Sequence, residues 1–143
     1  MNTGQPRRPG RSILAIVAGL LVVVVLSLAT DQLMHVLQVY PPWGQPMYDT
    51  GDNVLALSYR LVYTVLGYYV TASLAPYLPL RHLWILAGIG FVFGVLGAVS
   101  TIPMKLGPAW YPIALAATAL PCAWVAAAIY RARTANLERI TVP

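Results

Sequence analysis

Apolar residues in this chain run in long blocks, and the polar residues gather between them. Residues 13–39 are apolar apart from Ser27, Thr30 to Gln32, His35 and Gln38, and blocks at 54–75, 83–102 and 109–130 follow. Crossing a bilayer core of roughly 30 Å takes about 20 helical residues, and each block is long enough. Breakers stand between them: Pro41, Pro42, Gly44 and Pro46, then Pro76 and Pro79, then Pro103, Gly107 and Pro108. In lipid, backbone groups must be bonded within their own segment, so each block predicts a helix. No block alternates in polarity as a barrel strand would. The expected fold is all-α: a polytopic membrane protein with four transmembrane helices in one antiparallel bundle over residues 13–130, flanked by a basic tail at 1–12 and a second tail at 131–143.

The start of the chain admits a competing reading. Arg7, Arg8 and Arg11, the apolar stretch 13–26 and the small-residue stretch Ser27 to Ala29 resemble the three regions of a cleaved signal peptide. The apolar pattern continues past Ala29 through Leu33, Val36, Leu37 and Val39, which favours a retained span.

Composition agrees with lipid as the main solvent. The 143 residues are 59% hydrophobic and 9% charged, with a mean hydropathy of +0.69, whereas soluble domains carry about 25% charged residues. The net charge of +5 suggests a nucleic-acid partner only until the basic residues are located. Arg7, Arg8, Arg11, Arg81, Arg131, Arg133 and Arg139 flank the blocks on one side, and Lys105 stands alone on the other, with Asp49 and Asp52 in the first loop. The positive-inside rule then places both termini in the cytoplasm of a bacterial inner membrane, implies no nucleic-acid partner and opposes a dual-topology dimer. Tyr40, Trp43, Tyr48, Trp110 and Tyr111 fall on the outer side and Tyr77, Trp84 and Tyr130 on the inner, as aromatic belts do.

Candidate chemistry concentrates in the outer half. Ser27, His35 and Gln38 lie at i−4, i+4 and i+7 from Asp31 and so share its helix face. A charge at mid-span costs about 2.5–3.5 kcal/mol on insertion scales, so such residues pair or line a cavity. Arg60, at the head of the polar row Arg60, Thr64, Tyr68 and Thr71, is the expected partner. At 1.5 Å per residue it lies roughly 9 Å below the outer edge, against roughly 6–12 Å for His35 and Asp31. An Asp31–Arg60 ion pair is expected, with His35 or Tyr63 completing its hydrogen bonding and Tyr59 flanking. Asp31 and His35 alone make a poor metal site, because no third ligand lies on that side; His82 is at the other end.

In the third block, Gly90, Gly94 and Ala98 form a small-residue row with Gly97 beside it, suited to a close helix contact, either between copies or against the first or second span. The glycine spacing there is not a nucleotide loop, since no strand precedes it. Pro121 is expected to kink the fourth helix near Ala117 and Thr118. Cys122 is the single cysteine, which excludes an intrachain disulfide and a CxxC redox centre. Ser27 and His35 are two turns apart and form no triad, so no catalytic residue, cofactor or metal is assigned.

Two function classes are favoured over an enzyme. One is a binding or transport protein for a small solute, proton or lipid that uses the polar cluster Asp31, His35, Gln38, Arg60, Tyr63 and Thr64. The other is an accessory subunit that docks on a larger membrane complex, with the cluster purely structural. The hydropathy plan, together with the loop Pro41-Pro42-Trp43-Gly44-Gln45-Pro46-Met47 after a histidine-bearing helix, resembles that of small uncharacterised four-span inner-membrane proteins of bacteria. The resemblance covers most of the chain and implies no activity.

Overall fold

The computed structural model describes residues 9–141; Arg7 and Arg8 of the expected basic tail lie outside the described residues. Four α-helices follow one another: α1 (Pro9–Val36), α2 (Thr50–Leu74), α3 (Pro79–Thr101) and α4 (Trp110–Thr141), with a 3-10 turn at Ile102–Met104 after α3. No strand occurs among the described residues. Helix α1, helix α3 with its 3-10 turn, and helix α4 are long and apolar enough to cross a membrane, consistent with a multi-pass membrane protein. Helix α2 is not among them, because it carries Asp52, Asn53, Arg60 and a series of hydroxyls.

The position of α2 explains its polarity. It touches each of the other three helices, and Asn53, Tyr68 and Thr71 are buried in those contacts. A helix whose polar groups face protein neighbours does not need an apolar circumference.

Capping chemistry sets the helix ends, and one end differs from expectation. The run 13–39 is helical only to Val36. Gln38 adopts a left-handed conformation, φ 58°, with its N–H bonded to the His35 carbonyl and the Val39 N–H to the Met34 carbonyl at 2.9 Å. This is a Schellman cap with Gln38 at the position glycine usually takes. At the start of α2, Asp49 accepts a hydrogen bond from the Asp52 N–H, the N-cap arrangement that satisfies an orphan donor. Pro79 opens α3 in its first turn, where its missing N–H costs nothing. Helix α4 continues through Pro121 to Thr141, so residues 131–141 of the expected tail extend the same helix.

Close packing relies on small residues more widely than the row in α3. Helices α1 and α2 meet at Gly19 and Gly67. A Cβ on Gly67 would stand 2.6 Å from the Gly19 carbonyl oxygen, and one on Gly19 would stand 2.5 Å from the Gly67 carbonyl. Only hydrogen fits at either site. The expected row divides between two partners instead of serving one interface. Gly94 faces Ala116 of α4, where a Cβ would lie 2.8 Å from the Ala116 Cα, and Gly90 faces the Tyr68 hydroxyl of α2. The fourth helix, not the first or second, is therefore the partner of Gly94. Ala98 is buried, and Gly97 has open space where a Cβ would be. Leu83, Leu86 and Ala87 of α3 pack on Ala123 and Ala126 of α4, all at most 1% exposed.

Candidate functional site

The two loops at one end of the molecule are tied together, and this paired-loop end carries the site. The Met47 N–H donates to the Leu106 carbonyl at 2.7 Å, and the Tyr48 hydroxyl donates to the Lys105 carbonyl at 2.7 Å. Beneath them the buried Asn53 amide donates to the carbonyls of Met47 and Asp49, at 3.0 and 2.7 Å. These bonds hold the first loop over the ends of α2 and α3.

About two turns further along α2 from Asn53, Arg60 meets Asp31 of α1. Arg60 Nη2 donates to Asp31 Oδ2, and the Tyr59 hydroxyl donates to Asp31 Oδ1. The carboxylate is thus held through both oxygens, with the Asp31 side chain 9% exposed and that of Arg60 28%. The Tyr40 hydroxyl donates to Tyr59 at 3.3 Å, extending the chain of bonds towards the loop; burial pushes the Tyr40 phenol above its ordinary pKa. The Arg60 guanidinium also lies 5.9 Å from the centre of the Tyr111 ring, within cation–π range. Arg60 Nε is buried without an acceptor.

The remaining expected members of the cluster are placed differently. His35 does not bond Asp31: its Nδ1 lies 2.7 Å from the Pro41 carbonyl, and a carbonyl only accepts, so Nδ1 carries the proton. Its ring packs on Trp43, 4.0 Å between centroids, and Trp43 in turn donates to the Gln32 side chain. The reason is the Schellman turn, which folds the loop back over the histidine. Gln38, at the left-handed position of that turn, leaves the helix face it was expected to share and is exposed. Tyr63 bonds Thr30 at 2.9 Å. Because Thr30 gives its own proton to the Leu26 carbonyl, the Tyr63 hydroxyl is the donor. Thr64 donates to the Arg60 carbonyl. The hydrogen bond assigned to His35 or Tyr63 therefore comes from Tyr59, and Tyr40 and Tyr111, read as belt aromatics, join the network. Tyr59 adjoins Arg60 in sequence, a signal that was visible; the parts of Tyr40, Tyr111 and Asn53 had no sequence signal.

Two cavities adjoin Arg60. The larger, about 380 Å³, opens beneath the paired loops between α2, α3 and α4; Met47, Phe93, Thr101, Leu106, Tyr111 and Leu115 are among its walls, and Arg60 is the one charged residue lining it. The smaller, about 160 Å³, lies further from the loops, and all four helices contribute to it, including Leu20, Thr64, Tyr68, Gly90 and Thr118. Arg60, Gly94 and Leu115 line both. Among the described residues no group of three or more metal-ligating side chains converges. No protein-family model matches this chain, and neither a curated protein nor a solved structure does.

Proposed function

We propose that this protein is a four-span inner-membrane protein, an antiparallel bundle with both termini cytoplasmic, that binds a small apolar or amphiphilic molecule in the cavity beside Arg60. The observation that carries the reading is that cavity: about 380 Å³, walled mostly by apolar side chains, with Arg60 the one charged residue in its lining and Asp31 neutralising it. Small-molecule sites run from about 300 to 1,000 Å³ and combine apolar walls with a few placed polar groups. The lateral approach is through lipid, which is where an apolar ligand concentrates. Helix α2 has 25 residues, about 37 Å at 1.5 Å per residue, and serves as the fourth span despite its polarity because its neighbours cover its polar face.

Native mass spectrometry from mild detergent tests the reading. A small apolar or lipid molecule bound at one per chain is expected, and its loss on filling the cavity with Ala98→Phe locates it. A chain that carries no adduct under any detergent condition overturns it. Trp124, 75% exposed in the middle of α4, favours a second reading. Membrane tryptophans concentrate at the headgroup levels, and Trp124 stands six residues, about 9 Å at 1.5 Å per residue, inside the inner-belt Tyr130, so its exposure there suits a helix of another protein, as an accessory subunit would need. A stoichiometric foreign subunit in the same spectra, lost on Trp124→Ala, would establish that reading instead.

A further inference from the structure

The smaller cavity beyond Arg60 holds a hydroxyl with nothing to bond to. Tyr68 is 2% exposed and lines this space, and no hydrogen bond joins its hydroxyl to another described residue. The oxygen points across to α3, where a Cβ on Gly90 would lie 2.9 Å from it. The glycine is what leaves the hydroxyl room. The other two hydroxyls in the wall are spent as donors on their own helices, Thr64 to the Arg60 carbonyl and Thr118 to the Ala114 carbonyl, both at 2.7 Å. Tyr68 is then the hydroxyl in this wall with a proton still to give. The hydroxyl borders this space, and an acceptor placed there would add one net hydrogen bond, about 0.5–1.5 kcal/mol.

Charge decides what kind of acceptor. Arg60, which lines both cavities, is neutralised by Asp31, and no other charged residue lines either one. An anionic ligand would leave one uncompensated negative charge in an apolar surround, which is far more costly than a neutral dipole. A neutral oxygen acceptor has no such cost. We infer that the inner cavity is a hydrogen-bonding subsite for the neutral carbonyl end of an apolar ligand, received by the Tyr68 hydroxyl, with the apolar body lying in the larger cavity. The inference rests on the reading of that larger cavity as a ligand site. Arg60, which lines both spaces, forms the neck between the two parts of the ligand.

The test compares three probes of equal chain length, 2-undecanone, undecane and undecanoate, delivered in the same micelles to the full chain and titrated calorimetrically. One net hydrogen bond is worth about 0.5–1.5 kcal/mol, so the ketone is expected to bind roughly three- to tenfold more tightly than the alkane, and the carboxylate more weakly than the ketone. In Tyr68→Phe the ketone-to-alkane ratio should fall towards one. Carbonyl-labelled ketone on the unaltered protein supplies a reading that does not depend on the variant folding: its infrared stretch should move to lower wavenumber than in empty micelles. Equal affinities for ketone and alkane, or an unshifted carbonyl, overturn the subsite and leave water as the occupant, while the larger cavity remains a ligand site. Tightest binding of undecanoate also overturns it. If none of the probes binds, both the subsite and the reading it rests on fail.

Discussion

The paired-loop end of this protein and the part of the core remote from it are held together by opposite means. Near the loops, α1 and α2 are joined by long polar side chains, Arg60 and Tyr59 reaching Asp31, and two cavities adjoin Arg60. Away from the loops, Ala87, Ala123 and Ala126 are fully buried and α1 meets α2 through bare glycine backbone at Gly19 and Gly67. Small residues bring helices close enough for dispersion contacts along the whole crossing, which leaves no room for a guest between the touching faces. The difference teaches where function can sit. A bundle sealed by small residues along its whole length would have nowhere to put a ligand, and one joined only by charged pairs would lack the rigid part that holds a cavity open.

The sharpest way to break this comparison is at the glycine crossing. Gly67→Leu should abolish folding or cost upwards of roughly 3 kcal/mol, since overpacking an already tight contact typically costs about 1–3 kcal/mol and here the obstruction is backbone. A monodisperse, thermally unchanged variant on size-exclusion chromatography and melting would show that α1 and α2 can separate freely. Gly94→Leu belongs to the same class, with α4 as the displaced helix.

The ion pair should give the next largest effect. Arg60→Gln leaves the buried Asp31 carboxylate unpaired, an outcome that costs about 3–5 kcal/mol, and Asp31→Asn, which leaves an Arg60 side chain that is 28% exposed, should cost less. Removing both should cost less than the sum, with a coupling of about 1–3 kcal/mol in a double-mutant cycle. Strict additivity of the melting shifts would mean that the two charges do not interact and that Arg60 reaches for headgroups instead. Tyr59→Phe should follow at about 1.5 kcal/mol, the usual loss for a hydrogen bond to a charged group. No change in melting temperature there would remove Tyr59 from the network.

Gly97→Ala provides the small effect that calibrates the others. Nothing lies within 4 Å of where its Cβ would stand, and exchanging a helical glycine for alanine at a free site gains about 0.4–1 kcal/mol. A modest rise in melting temperature is expected, while a fall would show that Gly97 has a neighbour, such as a second copy of the chain.

How much of this was legible beforehand varies with the range of the interaction. The helices came from block length and from breakers, both local. The Asp31–Arg60 juxtaposition followed from two charges at similar depth in consecutive blocks, which chain length and helical rise nearly dictate. The hydrogen-bonding partner did not follow. His35 and Gln38 share a face with Asp31 only if the helix continues, and the left-handed turn at Gln38, unusual for glutamine, ended it at Val36. The Gly19–Gly67 crossing has no sequence signal, because a lone glycine in an apolar block says nothing about what lies across from it.

The sequence by itself therefore determined the number of helices, the apolar surface they present and the two charges that must be neutralised, because these depend on hydropathy, rise per residue and the cost of a bare charge. Only the tertiary structure decided which hydroxyl reaches the carboxylate, which glycines touch and where space remains. Those outcomes depend on how four helices rotate against one another. A rotation of a few tens of degrees changes every such contact and leaves the hydropathy pattern as it was.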